Sequence, residues 1–575
     1  MARRSGAVHV VTTKRTYKGK VYETHLLRRS YRDGASVRNE TVGNLSHLPP
    51  HVIDLIRRAL RDETFVSAEQ FEIVRSRPHG DTDAVLSAMD RLGVAKLLAP
   101  RPCPDAALVM AMIAARIVAP QTKLATTRWW QSRTLADDLG VADATEDDLY
   151  AAMDWLLDHQ PSIEKKLAAR HLAEGGMVLY DLTSSYVEGT HCPLAKRGHN
   201  RDGKRGKLQV NYGLVTDSGG CPVAVSVFDG NVSDSTTLRP QVTRLREDFG
   251  IRSVVLVGDR GMISQKAIED LKDTDGVRWI TALKSGQIRT LVEGGALQLG
   301  LFDDRDLFEL DHPDYPGERL IACRNPDLAK SRAHKRQDLI AATAAELEKV
   351  KVRVTNGRLR GRADIGLRVG RVVNKYKVAK HFALTITDTA FRFDVRGERV
   401  AAEASLDGIY LIRTNVPAWE MSAPDAVRNY KSLSQVERAF RSLKTIDLHV
   451  RPIHHRVADR VRSHIFLCML AYYVEWHMKE AWRPLLFADE EPGARAWRDP
   501  VAPAQRSDAA EIKATTHTLS NGSPAHSFRT LLQDLSSIVR NTCRTSHEKD
   551  APIFTVVTTP TEGQRRALHL LKQIA

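Results

Sequence analysis

Three acidic side chains in this 575-residue chain have the types and settings that metal-dependent chemistry on a phosphodiester requires. Asp181 and Asp259 sit at the carboxyl ends of short apolar runs, Met177–Leu182 and Ser253–Val257, that read as β-strands. Strand ends of this kind are where ligands bind in an open α/β sheet. Glu437 lies in Tyr430–Lys444, where Leu433, Val436, Phe440 and Leu443 recur at spacings of three and four, as on one side of a helix. Tyr430, Glu437, Arg441 and Lys444 fall at i, i+7, i+11 and i+14. At about 100° per residue, a seven-residue step returns to within roughly 20° of one direction. One face then carries a phenol, a carboxylate and two cations, although a solvated helix can show the same pattern. Carboxylates gathered without cations repel and raise one another's pKa. A divalent ion removes that conflict, and Mg²⁺ takes oxygen ligands while keeping some waters. Two such ions about 4 Å apart clamp the attacking and leaving oxygens of a phosphodiester.

The elements that must position these acids can be read from the pattern around them. Leu208–Thr216 and Pro222–Phe228 flank Asp217-Ser-Gly-Gly220, a hairpin turn. Ser233–Phe249 reads as a helix with Gly250 beyond its end. Ser264 caps a helix at Gln265–Leu271, and Arg278–Leu283 is a further strand. In this β-β-β-α-β-α-β order the first strand lies centrally, with the strand after the first helix beside it. Asp181 and Asp259 are then expected on neighbouring strand ends, and a later helix brings Glu437 across them.

Elsewhere, Val8–Thr12, Tyr22–Leu27 and Ser36–Val42 read as strands, with turns at Lys18-Gly19 and Asp33-Gly34. Helices are expected through 80–175, one opened by a Thr145/Asp148 capping box over Asp147–Leu157. Trp129–Trp130 are read as core, with base stacking as the alternative. Leu307–Cys323 and His381–Val395 look like antiparallel strands around a helix at Asp338–Val350. Residues 485–525 read as a loosely ordered crossing. Helices at Phe528–Ile538 and Pro560–Ile574 complete the chain. The expected division is a β-rich and helical region (1–79), a helical DNA-binding or bridging domain (80–175) and a catalytic core in two parts (176–285 and 406–480). A basic, mainly β insertion (286–405) separates those parts, and a helical C-terminal region (481–575) comes last.

The formal net charge of +15 points to a polyanionic partner. Arg324–Lys380 holds sixteen Lys and Arg against five Asp and Glu, which is most of that excess. Lys196–Lys207 is glycine-rich and basic and lies near Asp181. It is either a grip on a phosphate backbone, through Lys204 and Arg205, or a flexible surface loop. Arg260, beside Asp259, is a further candidate DNA contact. His449, His454, His455 and His464 follow no compact ligand spacing, so no histidine metal site is expected, and His464 is read as a buried polar residue with a partner. Six scattered cysteines with no C-x-x-C pair suit reduced thiols in a cytosolic protein. Arg3 and Arg4 lead into no apolar run, so no secretory signal is expected. Ala106–Ala119 and Ile465–Trp476 fall short of a membrane span, and no membrane partner is expected.

The motifs carry a resemblance. Tyr430, Glu437 and Lys444 match the Tyr-Arg-Glu-Lys signature Y-x2-R-x3-E-x6-K, with Leu433 where the signature has Arg. Tyr180-Asp-Leu-Thr-Ser184, Gly213-Leu-Val-Thr-Asp217, Phe228-Asp-Gly-Asn231 and Val257-Gly-Asp-Arg-Gly-Met262 match in order. The chain resembles the DDE-type insertion-sequence transposases of that signature group, an insertion-sequence-four-like set. The likeness covers about 176–285 and 405–475, and extends more weakly to the N-terminal strands and to Gln564. It implies an RNase H-like mixed sheet flanked by helices and interrupted by a mainly β insertion that contacts DNA ends. It implies catalytic and metal-binding roles for Asp181, Asp259 and Glu437, with DNA contacts at Tyr430, Arg441 and Lys444. Two Mg²⁺ ions are the implied cofactors, with Mn²⁺ as a substitute. The implied activity is cleavage of double-stranded DNA at element ends and strand transfer into target DNA, by a homodimer in the bacterial cytoplasm, bound to the nucleoid. An aspartyl-phosphate phosphotransferase is disfavoured, because a hairpin and not a crossover helix comes after the first strand. A non-enzymatic DNA-binding protein derived from a transposase remains the alternative.

Overall fold

The computed structural model describes residues 6–63, 65, 71–204, 206–302, 305–489, 498–502, 505–545 and 552–574. Two compact units divide the chain, one of 1–77 with 539–558, the other of 78–538 with 559–575.

In the first unit, β1 (Ala7–Tyr17), β2 (Lys20–Asp33) and β3 (Ser36–Asn44) form an antiparallel meander. Both turns fall where Lys18-Gly19 and Asp33-Gly34 mark them. Lys18 and Gly19 have φ of 48° and 75°, the left-handed geometry that suits strand twist in a tight hairpin. Helix Pro50–Ala59 comes next. A second sheet joins β4 (Glu72–Pro78) to the hairpin of Val539–Arg544 and Ile553–Val557. The C-terminal region is therefore not wholly helical as expected. Ile-Phe-Thr-Val-Val at 553–557 has the β-branched and aromatic content of a strand, which is the local reason.

The second unit is built on a mixed sheet. In chain order its elements include β5 (Met177–Tyr186), β6 (Gln209–Thr216), β7 (Pro222–Asp229), β8 (Val254–Val257) and β9 (Val277–Ala282). Next come β10 (Leu307–Leu310), β11 (Arg319–Arg324), a separate hairpin of β12 (Phe382–Ile386) and β13 (Phe391–Val395), and β14 (Ile409–Thr414). The eight-stranded sheet runs β10-β11-β14-β9-β8-β5-β6-β7. β8 is parallel to both β5 and β9, and the other neighbours pair antiparallel. β7-β6-β5-β8-β9 is the RNase H-like order, with the first strand central.

Successive residues of a strand face opposite sides, so β5 feeds two cores. Leu179 joins one core with helices Pro104–Val118, Glu146–His171 and Ala458–Ala481. Val178, Tyr180 and Leu182 join the other, with helices Leu238–Glu247 and Gln265–Lys272. Residues 80–175, expected as a separate domain, thus share a core with the sheet. The middle of helix Ala458–Ala481 is apolar on every side from Ile465 to Val474 and is buried throughout that stretch. The Thr145/Asp148 capping box is formed, and its helix continues to His171, past Pro161. Trp130 is buried, and Trp129 is half-buried with the Arg133 guanidinium 5.4 Å from its ring centre. Among the described residues, no single helix is long and apolar enough to cross a membrane.

The insertion corrects an expectation. Strands β10 and β11 belong to the main sheet, and most of the chain between β11 and β12 is helix, Pro326–Thr355 and Arg362–Tyr376. Leu347, Val350, Ile365, Val369 and Phe382 form a small core of their own there. The longer helix has clear start signals, since the Asn325 side chain accepts from the Leu328 N–H at 2.9 Å and Pro326 opens the first turn. The second is obscured by Ile, Val and Gly, residues that argue against helix locally. Packing of Ile365, Val369 and Val373 on the first helix overrides that preference.

Candidate active site

Leu179 and Val257 form the last parallel pair between β5 and β8. Asp181 and Asp259 each lie two residues beyond it, at the same level of the sheet. Asp181 is not at a strand end as expected, because β5 continues to Tyr186 along β6. It borders the cleft because β8 stops. Asp181 Oδ1 accepts the Leu182 N–H at 2.8 Å. Asp259 Oδ1 accepts the N–H groups of Gly261 and Met262 at 2.9 and 2.7 Å, which fixes the loop of the Gly-Asp-Arg-Gly motif.

Glu437 is exposed on helix Leu433–Arg441. Val436, Ala439 and Phe440 bury the opposite face, and the Phe440 ring meets Tyr212 of β6 edge-on at 5.9 Å. The single helix expected over Tyr430–Lys444 is broken twice. Tyr430 belongs to helix Ala423–Lys431, separated at Ser432, and 442–446 form a π turn. Turns of that type inside helices are frequent at functional sites.

Asp181, Asp259, Glu437, Arg441 and Lys444 line one open cavity of about 510 Å³. Burial pushes the Asp181 carboxyl up to about 7, and the charges of Asp259 and Glu437 add to the rise. Among the described residues, the one trio of His, Cys, Asp or Glu whose ligand atoms all lie within 4.8 Å of one another is His171, Cys221 and His477. The three acids therefore stand further apart than that. Tyr430 is half-buried outside the cavity lining. Its phenol is raised to about 12 by burial first and then by Asp259, with Glu437 and Asp181 adding smaller increments.

The remaining site candidates divide. Arg441, Arg260 and Lys204 are exposed, Lys204 with its ammonium 5.9 Å from the Tyr186 ring centre. Arg205 lies outside the described residues. Lys444 is buried, contrary to a free backbone contact, and its ammonium meets Asp202 Oδ1 at 3.0 Å. Arg451 pairs with the same oxygen, and the Tyr186 N–H reaches Asp202 Oδ2 at 3.0 Å. Arg201 grips Asp234 through two 2.6 Å contacts. The Lys196–Lys207 loop is thus pinned at its centre and is not a free surface loop there. Its approach requires glycine. A Cβ on Gly198 would lie 2.0 Å from the Gly230 carbonyl oxygen, and one on Gly230 1.9 Å from the Gln209 carbonyl oxygen. Asp202, Asp234, Arg201 and Arg451 line the cavity and were missed in the sequence. The one legible hint was an acid, Asp202, inside an otherwise basic run.

Gly213 has a similar role, since an added Cβ would lie 2.3 Å from the buried Tyr180 hydroxyl, one residue from Asp181. Gly213→Ala is expected to destabilise the chain by about 1–3 kcal/mol through overpacking. A urea-unfolding midpoint equal to that of the parent chain would contradict this. His464 is buried with Nε2 3.2 Å from the Val450 carbonyl oxygen, the partnered polar residue expected.

No curated protein matches the chain. A solved structure, the cryo-EM structure of a piggyBac transposase synaptic complex with hairpin DNA, is similar at 8% identity over 79% of this chain and 70% of that one. Its TM-score of 0.30 is too low to argue from. The IS1634 family transposase N-terminal domain matches residues 10–70, and the Transposase DDE domain matches residues 175–474, which include Asp181, Asp259 and Glu437. That match spans more than half of the sequence, and the chain belongs to the Transposase DDE domain family.

Proposed function

We propose that this chain is a transposase of the Tyr-Arg-Glu-Lys group that cleaves double-stranded DNA at insertion-sequence ends and joins the 3′-hydroxyls to target DNA. The observation that carries this reading is the meeting of Asp181, Asp259 and Glu437 on one cavity at the switch between β5 and β8. The residues fit divalent ions. Their donors are all carboxylate oxygens, as Mg²⁺ and Mn²⁺ prefer. Asp181 is raised to about 7 by burial and by its acidic neighbours, a conflict that a cation relieves. Bound there, Mg²⁺ supplies Lewis-acid activation of the attacking and leaving oxygens.

The chain's own residues bind and orient the strand. Arg441 at the cavity, with Arg260 and Lys204 nearby, offers exposed cations to backbone phosphates. The Asp202 lock holds the 196–204 loop against the cavity. Two ends must be cut and joined together, so the active form is a homodimer on DNA in the bacterial cytoplasm.

Purified protein incubated with DNA carrying the element's terminal repeats and Mg²⁺ is expected to nick at the ends and to join them to a target plasmid. EDTA should stop both steps, and Mg²⁺ or Mn²⁺ should restore them. Binding of the ends with no cleavage in either metal would favour the non-enzymatic alternative.

A further inference from the structure

We propose that a cavity walled by Arg116 and Lys123, beside the acid-lined one, is a binding site for a phosphate group, and that the phosphate is a backbone diester of a DNA strand leaving the acids. The DNA source rests on the transposase reading, whereas the anion site does not. The cavity holds about 310 Å³, and no Asp or Glu is among its described lining residues. Two of its walls are buried cations, Lys123 at 5% exposure and Arg116 at 8%. Arg116 donates to the Gln121 carbonyl at 3.3 Å. Lys123 makes no hydrogen bond or ion pair with any described residue.

An ammonium withdrawn from water without a partner is costly, and the usual remedy is an opposite charge or loss of the proton. Burial, with Arg116 adding repulsion, pushes Lys123 down to about 7. A bound anion offsets both, because an opposite charge nearby favours the charged form of the lysine. Burial drives His455 down to about 3 and His464 well below its ordinary value, so the cationic character of this wall rests on Arg116 and Lys123. A metal ion would meet repulsion from Arg116 and Lys123, whereas an anion is attracted to both.

Two further features point to a phosphate. Lys123 begins helix Lys123–Trp130, capped by Thr122, whose side chain accepts the Ala125 N–H at 3.2 Å; a helix N-terminus favours anions. Arg451 lines both this cavity and the acid-lined one, so the two adjoin. A strand threading both would present one phosphate to the acids and another to Lys123.

The test uses the full chain and Lys123→Met, which keeps the side chain's length and relieves the unpaired charge. Thermal midpoints are measured against inorganic phosphate at constant ionic strength. End-DNA affinity is measured across a salt series. Expected results are a midpoint that rises with phosphate in the parent and not in Lys123→Met. The salt slope of DNA binding should fall by about one in the variant. Lys123→Arg should restore both, which covers the case of a methionine variant that folds poorly. Phosphate protection lost with the DNA slope unchanged would overturn the DNA source and keep the anion site. Protection equal in parent and Lys123→Met would overturn the site itself. Phosphate protection is read without cleavage, so its outcome is independent of whether the chain cuts DNA.

Discussion

Asp181→Asn, Asp259→Asn and Glu437→Gln should each stop cleavage at element ends while leaving end binding nearly intact. Metal-assisted stabilisation of a developing charge is worth several kcal/mol. Losing about 4 kcal/mol of it slows the step by on the order of a thousandfold. Glu437 is the cleanest member of the set. It is exposed on helix Leu433–Arg441, and its removal opens no core. Asp259 also organises its loop through the Gly261 and Met262 N–H groups, and asparagine keeps an oxygen for them. The measurement is single-turnover cleavage of an end-labelled substrate, with gel-shift affinity as control. Cleavage within about tenfold of the parent by any of the three would sink its assignment as a metal ligand.

Asp202→Ala should unlock the site without touching the three acids. The Asp202 carboxylate is buried between Lys444, Arg451 and the Tyr186 N–H. Removing one partner of a buried ion pair typically costs 3–5 kcal/mol, because the other charge stays desolvated. Arg451 is partly exposed and can turn outward, so about 3 kcal/mol is expected here. Lys444→Met should cost less, since Arg451 still neutralises Asp202. Urea unfolding of both variants checks the order. An Asp202→Ala midpoint equal to that of the parent would show that the lock is not formed in solution.

The tertiary structure also revises the role of Lys444. Read as a helical repeat, it shares a face with Glu437. The π turn at 442–446 rotates it inward, and Ser442 joins a buried network with Asp447, Glu475 and Lys479. Lys444 is therefore held in an ion pair with Asp202 of the loop that borders the acids, and Arg441 is an exposed cation on the same cavity.

Much of the scaffold is written locally. Alternating apolar residues, the Asp217–Gly220 turn, the Ser264 cap and the Lys18-Gly19 turn each depend on neighbours a few residues away. The motifs that carry Asp181, Asp259 and Glu437 are local too, and the order of elements in the chain agrees with β5 lying beside β8. The rest depends on residues far apart in the chain. Lys444 meets Asp202 across 242 positions, and neither residue's surroundings in sequence announce the pair. The break at Ser432 and the π turn arise where a helix with strong local periodicity is fitted onto the sheet and onto helix Ala458–Ala481. The second insertion helix, Arg362–Tyr376, forms because packing of Ile365 and Val369 in the core with Leu347 outweighs weak helix preference. Periodicity and capping are short-range effects, so the sequence alone singled out the three acids and the elements that hold them. Burial and charge pairing are long-range, so only the tertiary structure decided which cations are locked in ion pairs, which are exposed, and that a second cavity, with no acid among its described lining residues, lies beside the first.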